Sequence, residues 1–231
     1  MEIKFAEKEL SKVSKAIFIQ DIAIGYPEKR KIKAEIPYMN GTYDFTYANE
    51  AKNYYGERAI EVQLLLAAKS REQAFILHQK VMDFFTSIGK QKLEFSDIIG
   101  WYYMAELEAT PVFEEVFGGY FSVKLQLTAY PFRIKGYFSK QLWDTFCFET
   151  DWLQNLEFTV AGSAAETVFL HNVSVLTITA TSAMTMVVNG KATSLKVGKF
   201  DYYGLELLEG ANEVTFAGTG NVQIEFVMER L

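Results

Sequence analysis

His78 and His171 are the only histidines in the 231 residues, and Cys147 is the only cysteine. That scarcity restricts the chemistry open to the chain. A structural zinc site gathers thiolates and imidazoles in pairs or clusters, and no such grouping occurs. A nucleophile needs a base held within hydrogen-bond reach, yet neither histidine belongs to an HExxH, CxxC or GxSxG motif. His78 stands beside Leu77 and Val81 on the apolar side of a helical pattern, which predicts a packed core or interface histidine. His171, in Leu170-His-Asn-Val173, has no patterned partner. Glycoside hydrolysis needs only two carboxyl groups, but they must face each other across a cleft. Glu106 and Glu108 are two apart in a strand pattern and so share a face, which reads as a solvated sheet surface. Glu114 and Glu115 are adjacent, at an expected hairpin tip. Gly118-Gly119 and Gly218-Thr-Gly220 lack the frame of a phosphate-binding loop before a helix. No catalytic, cofactor-binding or metal-binding residue is therefore assigned, and the chain is expected not to be an enzyme.

Aromatic residues are the unusual term in the composition: 19 Phe, 13 Tyr and 3 Trp. Rings suit strands and assembly interfaces, because each buries a large area with few rotors to freeze. Trp143, Trp152, Phe200, Tyr202 and Tyr203 are candidates for a sugar-stacking platform. Within Phe200-Asp-Tyr-Tyr-Gly204, neighbouring strand residues point to opposite sides, so at most one of Tyr202 and Tyr203 belongs in a core. Those two tyrosines are the candidate interface or ligand contacts. The net charge of −6 argues against direct nucleic-acid binding. The one basic run, Lys29-Arg30-Lys31-Ile32-Lys33, reads as a solvated strand face. No apolar stretch has the length of a membrane span, and Met1-Glu2-Ile3-Lys4-Phe5 lacks signal-peptide character. With a lone cysteine, folding is expected in a reducing cytoplasm.

The elements that must position these residues are mostly strands. Ala16–Ile24, Lys31–Ile36, Thr42–Tyr47, Arg58–Ala67, Gln91–Phe95, Trp101–Ala109 and Tyr120–Tyr130 carry strand patterns in the first half. Lys31–Ile36 alternates as a half-buried strand should. Asn40-Gly41 signals a type I′ hairpin turn, which needs φ > 0 at both residues. One helix interrupts this series. Ser70 and Gln73 form a capping box, Ala74, Leu77, Val81, Phe84, Phe85 and Ile88 form an apolar stripe, and Gly89 supplies a left-handed stop. The second half holds only strands and turns: Leu156–Val160, Val173–Thr181, Met184–Val188, a hairpin at Asn189-Gly190, and a closing strand with Val222, Ile224 and Phe226 on one face. Gly204, Gly210, Gly218 and Gly220 divide its last part into short segments. The expected architecture is mainly β. An antiparallel sheet domain with one amphipathic helix (1–135, of α+β type) is followed by a jelly-roll or galectin-like β-sandwich (145–231).

The order of features also resembles a known family. Pro37-Tyr-Met-Asn-Gly-Thr-Tyr-Asp-Phe45, Tyr55-Gly-Glu-Arg58, the helix, Leu93-Glu-Phe-Ser-Asp97, Gly100-Trp-Tyr-Tyr103 and Ala129-Tyr-Pro-Phe-Arg133 follow the succession seen in siphophage distal tail proteins. Leu205-Glu-Leu-Leu-Glu-Gly-Ala-Asn-Glu-Val214 and Glu229-Arg-Leu231 are similar to that family's second domain. The resemblance implies a virion structural protein of a phage or prophage baseplate, located at the tail tip and assembled in the bacterial host cytoplasm. It implies a homo-hexameric ring whose partners are the tail tube protein above and a tail-associated lysin or fibre protein below. A carbohydrate-binding adhesion module contacting the host cell wall is the alternative.

Overall fold

The computed structural model describes residues 1–231 except 39, 47–52, 109–110, 138–146, 149–150 and 174. It is mainly β, as the strand patterns imply, and divides into two compact units. One comprises Met1–Asp97, Tyr102–Phe132 and Leu231; the other comprises Ile98–Trp101 and Arg133–Arg230.

The first unit begins with β1 (Ile3–Phe5), β2 (Lys8–Glu9), a 3₁₀ turn at Leu10–Lys12 and β3 (Ile17–Ile24). Then come the short β4 (Lys33–Ala34) and β5 (Tyr43–Asp44), the long β6 (Arg58–Ala67) and α1 (Arg71–Phe85). It closes with β7 (Gln91–Phe95), β8 (Tyr102–Leu107), β9 (Val112–Phe117) and β10 (Tyr120–Ala129). β10 is the central strand. It pairs along its whole length with β6, which pairs in turn with β3. On its other side β10 pairs with β9 near one end and β8 near the other, and β8 continues to β7, β1 and β2. Alternation sets what is buried. Ile60, Val62, Leu64 and Leu66 of β6, and Phe121, Val123, Leu125 and Leu127 of β10, face inward. α1 contributes Ala74, Leu77, Val81, Phe84 and Phe85 to the core, and Phe5 packs against both Phe84 and Phe85.

The helix starts where the capping box places it. The Ser70 hydroxyl accepts the Gln73 N–H at 3.2 Å, and the Gln73 side chain accepts the Lys69 N–H at 2.9 Å. It ends one turn before the expected Ile88, however. Thr86 leaves the helical region, and Ile88 is 99% exposed. Gly89 has φ of 69° in the turn leading to β7, so it serves that turn and not the helix stop.

Three further expectations are corrected in this unit. Lys31–Ile36 is not a half-buried strand: only Lys33 and Ala34 pair, with Asp44 and Tyr43, and both are exposed. The period-2 pattern is present, but no layer lies beneath it. Nor is Asn40-Gly41 the two-residue turn of a hairpin: Ala34 pairs with Tyr43, which centres the connection ahead of Asn40, although Gly41 does have a positive φ of 85°. Glu114 and Glu115 lie within β9 and not at a tip, because the turn is made by Gly118 and Gly119.

The second unit contains β11 (Arg133–Tyr137), β12 (Glu157–Leu170), β13 (Leu176–Ala180), β14 (Met184–Val188), β15 (Lys191–Leu195), β16 (Gly198–Tyr202) and β17 (Gly210–Arg230). The glycines at 218 and 220 do not break its last part into short strands. β17 runs unbroken for 21 residues and pairs with all 14 residues of β12. Gly162 of β12 stands opposite Gly218 of β17, and both have positive φ. The pair bends there, and its two halves enter facing layers. Before the bend β17 takes β14 as its second neighbour; after it, β13. A Cβ on Gly218 would lie 2.6 Å from the Met184 Cβ, and one on Gly220 would lie 2.5 Å from the Ser182 Oγ, so glycine is what lets the β13–β14 connection cross the bend. Phe158, Val160, Val168, Leu170, Phe216, Val222, Ile224 and Phe226 fill the space between layers, giving a β-sandwich. At the expected hairpin, Asn189 and Gly190 both have positive φ, as a type I′ turn requires.

Candidate functional site

The residues best equipped for chemistry are held in structural roles. His78 lies on α1 with its ring 4.8 Å from Phe113 of β9, which stacks on the buried Phe121. Its Nε2 is buried without a hydrogen-bond partner, and burial pushes the imidazole pKa down. His171 places Nδ1 2.9 Å from a Glu209 carboxylate oxygen at the surface of the second unit. Glu108 accepts a hydrogen bond from the Thr128 hydroxyl. Glu106 shares its face, because Glu106 pairs with Thr128 across β8 and β10. Among the described residues no cluster of His, Cys, Asp or Glu is arranged to hold a metal ion.

In the second unit, Lys135 and Asp151 form an ion pair with almost no side-chain exposure. The carboxylate also accepts the Cys147 backbone N–H at 2.8 Å. Trp101 lies beside this pair, with the Lys135 ammonium 5.7 Å and the Arg133 guanidinium 4.7 Å from its ring centroid. The cluster ties Cys147 and Asp151 to β11. Trp101 also packs into the sandwich core.

The aromatic candidates separate. Tyr202 lies partly buried against the sandwich core, and its hydroxyl accepts the Lys196 N–H at 3.0 Å. Tyr203 is 72% exposed. Phe200, on the same strand as Tyr202, is half-exposed beneath the Lys196 ammonium, 5.9 Å from its ring centroid. Trp152 packs on Phe169 of β12 at 5.6 Å. Trp143 lies outside the described residues.

Two surfaces absent from the sequence reading are more prominent. The first is the ribbon from Tyr26 to Gly56, which carries β4 and β5. Lys29 bridges to Tyr55, the Arg30 N–H donates to the Tyr54 carbonyl, and the Phe45 N–H donates to the Ile32 carbonyl. Tyr26, Ile32, Ile36, Tyr38, Tyr43, Phe45 and Tyr54 are all exposed along it. The basic run Lys29–Lys33 lies on this ribbon. The second is the outward face of the β3–β6–β10 sheet. The polar positions of the period-2 pattern meet there: Asp21 beside Gln63, Glu61 beside Gln126, and Lys124 beside Gln63. A two-period reading of Arg58–Ala67 and Tyr120–Ala129 could have found this face. Exposure of the ribbon had no such signal, because its alternation matches that of a half-buried strand.

No family model matches the chain, and no curated protein matches it. Solved structures do. The phage p2 baseplate in its activated conformation with Sr matches with a TM-score of 0.47 at 8% identity, covering 99% of this chain and 98% of that one. SPP1 Dit (gp 19.1), described as a paradigm of the hub adsorption apparatus in phages infecting Gram-positive bacteria, matches with a TM-score of 0.64 at 13% identity, over 100% of this chain and 99% of that one. Over its whole length the chain thus shares the fold of SPP1 Dit.

Proposed function

We propose that the chain is a structural hub component of a phage or prophage tail tip, a distal tail protein. The observation that carries this reading is the end-to-end fold match with SPP1 Dit, which includes both units and leaves almost none of either chain uncovered. The order of sequence motifs supports it independently. In this reading the first unit builds a homo-hexameric ring, with the tail tube on one side and a tail-associated lysin or fibre protein on the other. The role is mechanical and not catalytic. It is supported by the structural employment of His78, His171, Lys135 and Asp151. Head-to-tail contact suits such a ring, because a heterologous interface closes by rotation without a two-fold patch. Among the described residues of the first unit β3 pairs only with β6 and β9 only with β10, so two strand edges there are open to neighbours.

Two measurements test this. Light scattering on concentrated protein is expected to detect a discrete oligomer, and antibody labelling of induced phage particles is expected to mark the tail tip. A chain that is absent from particles and monomeric at every concentration sinks the reading.

A further inference from the structure

The ribbon Tyr26–Gly56 poses a physical problem. A two-stranded ribbon with no third strand or helix against it is marginal in water, and this one exposes seven large apolar side chains. It is tied to its own unit at the base, where Tyr55 meets Phe132 edge-on at 5.7 Å and the Gly25 N–H donates to the Ala59 carbonyl at 2.9 Å. Beyond that point its described residues are exposed, apart from the half-buried Thr46. Strand alternation places Lys29, Lys31 and Lys33 on one side of it, spanning roughly 13 Å. Asp44 shares the side of Lys33, is held by the Thr46 hydroxyl and N–H and lies in the field of Lys33 and Lys31, and the same alternation brings Glu35 to that side, so the ribbon's basic side carries part of its own counter-charge.

The outward face of the first unit's sheet has the complementary character. Register puts Asp21 of β3, Glu61 of β6, Glu106 of β8, the adjoining Glu108 and Glu114 of β9 on that face. Among the described residues Lys124 is the one ammonium on this face, and none of them forms a salt bridge with any of the five carboxylates. From Asp21 to Glu106 the carboxylates run diagonally across β3, β6, β10 and β8; three strand spacings and the four-residue offset along β10 from Lys124 to Thr128 separate them by about 20 Å. The face is also grooved. Asp21, Glu61, Gln63, Val112, Lys124 and Gln126 line a cavity of about 200 Å³.

We propose that the ribbon of one copy lies across the acidic sheet face of the next, with Lys29, Lys31 and Lys33 meeting the row that includes Asp21, Glu61 and Glu106. This rests on the hub-ring reading and assigns part of the ring seam. It covers the ribbon's exposed apolar side chains and neutralises a face that would otherwise concentrate like charge. The contact is heterologous, arm to face, so repetition by rotation closes a ring.

Charge reversal tests it in a way that a folding defect cannot imitate. Lys29→Glu/Lys31→Glu/Lys33→Glu reverses the ribbon, and Asp21→Lys/Glu61→Lys/Glu106→Lys reverses the face. Each variant alone is expected to weaken self-association at least about 10-fold in light scattering, since like charges then meet across the seam. Mixed in equal amounts, the two are expected to recover the oligomer, because each ribbon again meets an opposite face. In the assembled wild type, carbodiimide is expected to join a ribbon lysine to Glu61 or Glu106 of another copy. A wild-type oligomer that survives both reversals overturns this contact and leaves the ring reading standing. So does a mixture that fails to recover although both variants melt like wild type. A ribbon variant that assembles normally but loses DNA binding gives the ribbon to nucleic acid instead. A wild-type chain that never self-associates overturns this contact, and overturns the hub reading with it when the chain is also absent from tail tips.

Discussion

At the scale of single residues, environment decides what a titratable side chain does. His78 sits against Phe113 with a buried, unpartnered Nε2, and burial holds its pKa below the ordinary value. In the unfolded chain it titrates near 6.5. Below about pH 6.5 the unfolded state therefore binds more protons than the folded state, and stability declines as pH falls towards the folded pKa. Above that pH the contribution is complete. Thermal melts at about pH 7.5 and 5 are expected to show this loss, and His78→Phe, which keeps a ring against Phe113, is expected to flatten that component. Lys135 and Asp151 are a different case. Desolvating both groups costs free energy that their pairing offsets, and Asp151→Asn removes the carboxylate paired with the buried Lys135 ammonium. Chemical denaturation is expected to register a loss of about 3–5 kcal/mol. The double replacement Lys135→Met/Asp151→Leu is expected to recover most of it, which separates the cost of an orphaned charge from the worth of the pair.

At the scale of elements, local signals were legible when they acted within a few residues. The Ser70–Gln73 cap is an example, and Ser70→Ala is expected to cost about 1 kcal/mol in thermal or urea unfolding. The far end of α1 was not legible. Ile88 continues the apolar period, yet Thr86 leaves the helix and Ile88 points to solvent. Nothing within the helix fixes that choice, since it follows from where the chain must turn to enter β7. β17 carries the same lesson. Gly218 and Gly220 are breakers by composition, but pairing with β12 over its full length keeps the strand continuous and turns the glycines into a bend. Gly218→Ala forces a Cβ to within 2.6 Å of the Met184 Cβ at a φ of 148°. It is expected to lower stability by about 1–3 kcal/mol, read from the urea midpoint.

At the scale of the whole molecule, assembly is the property most open to measurement. If ribbon lysines meet an acidic face across the seam, self-association is expected to weaken as salt rises from about 0.05 to 0.5 M, because the Debye length then shortens to a few ångströms. A seam held by apolar contact alone is expected to persist or strengthen under the same change, so the sign of the salt effect discriminates. The candidate tyrosines show how little of a surface is decided by sequence. Alternation allowed one of Tyr202 and Tyr203 to be buried, but only the packed sandwich has Tyr202 against the core and Tyr203 in solvent. The sequence by itself determined the mainly β character, the helix and its cap, the hairpin at Asn189-Gly190 and the poverty of catalytic groups. Each follows from periodicity, turn chemistry or composition over a short stretch. Only the tertiary structure decided that Lys31–Ile36 belongs to an uncovered ribbon, that β12 and β17 bend together into both layers, and that Trp101 packs in the sandwich. Those outcomes depend on which surfaces meet across long sequence separations, and an alternating pattern looks the same whether or not a layer lies beneath it.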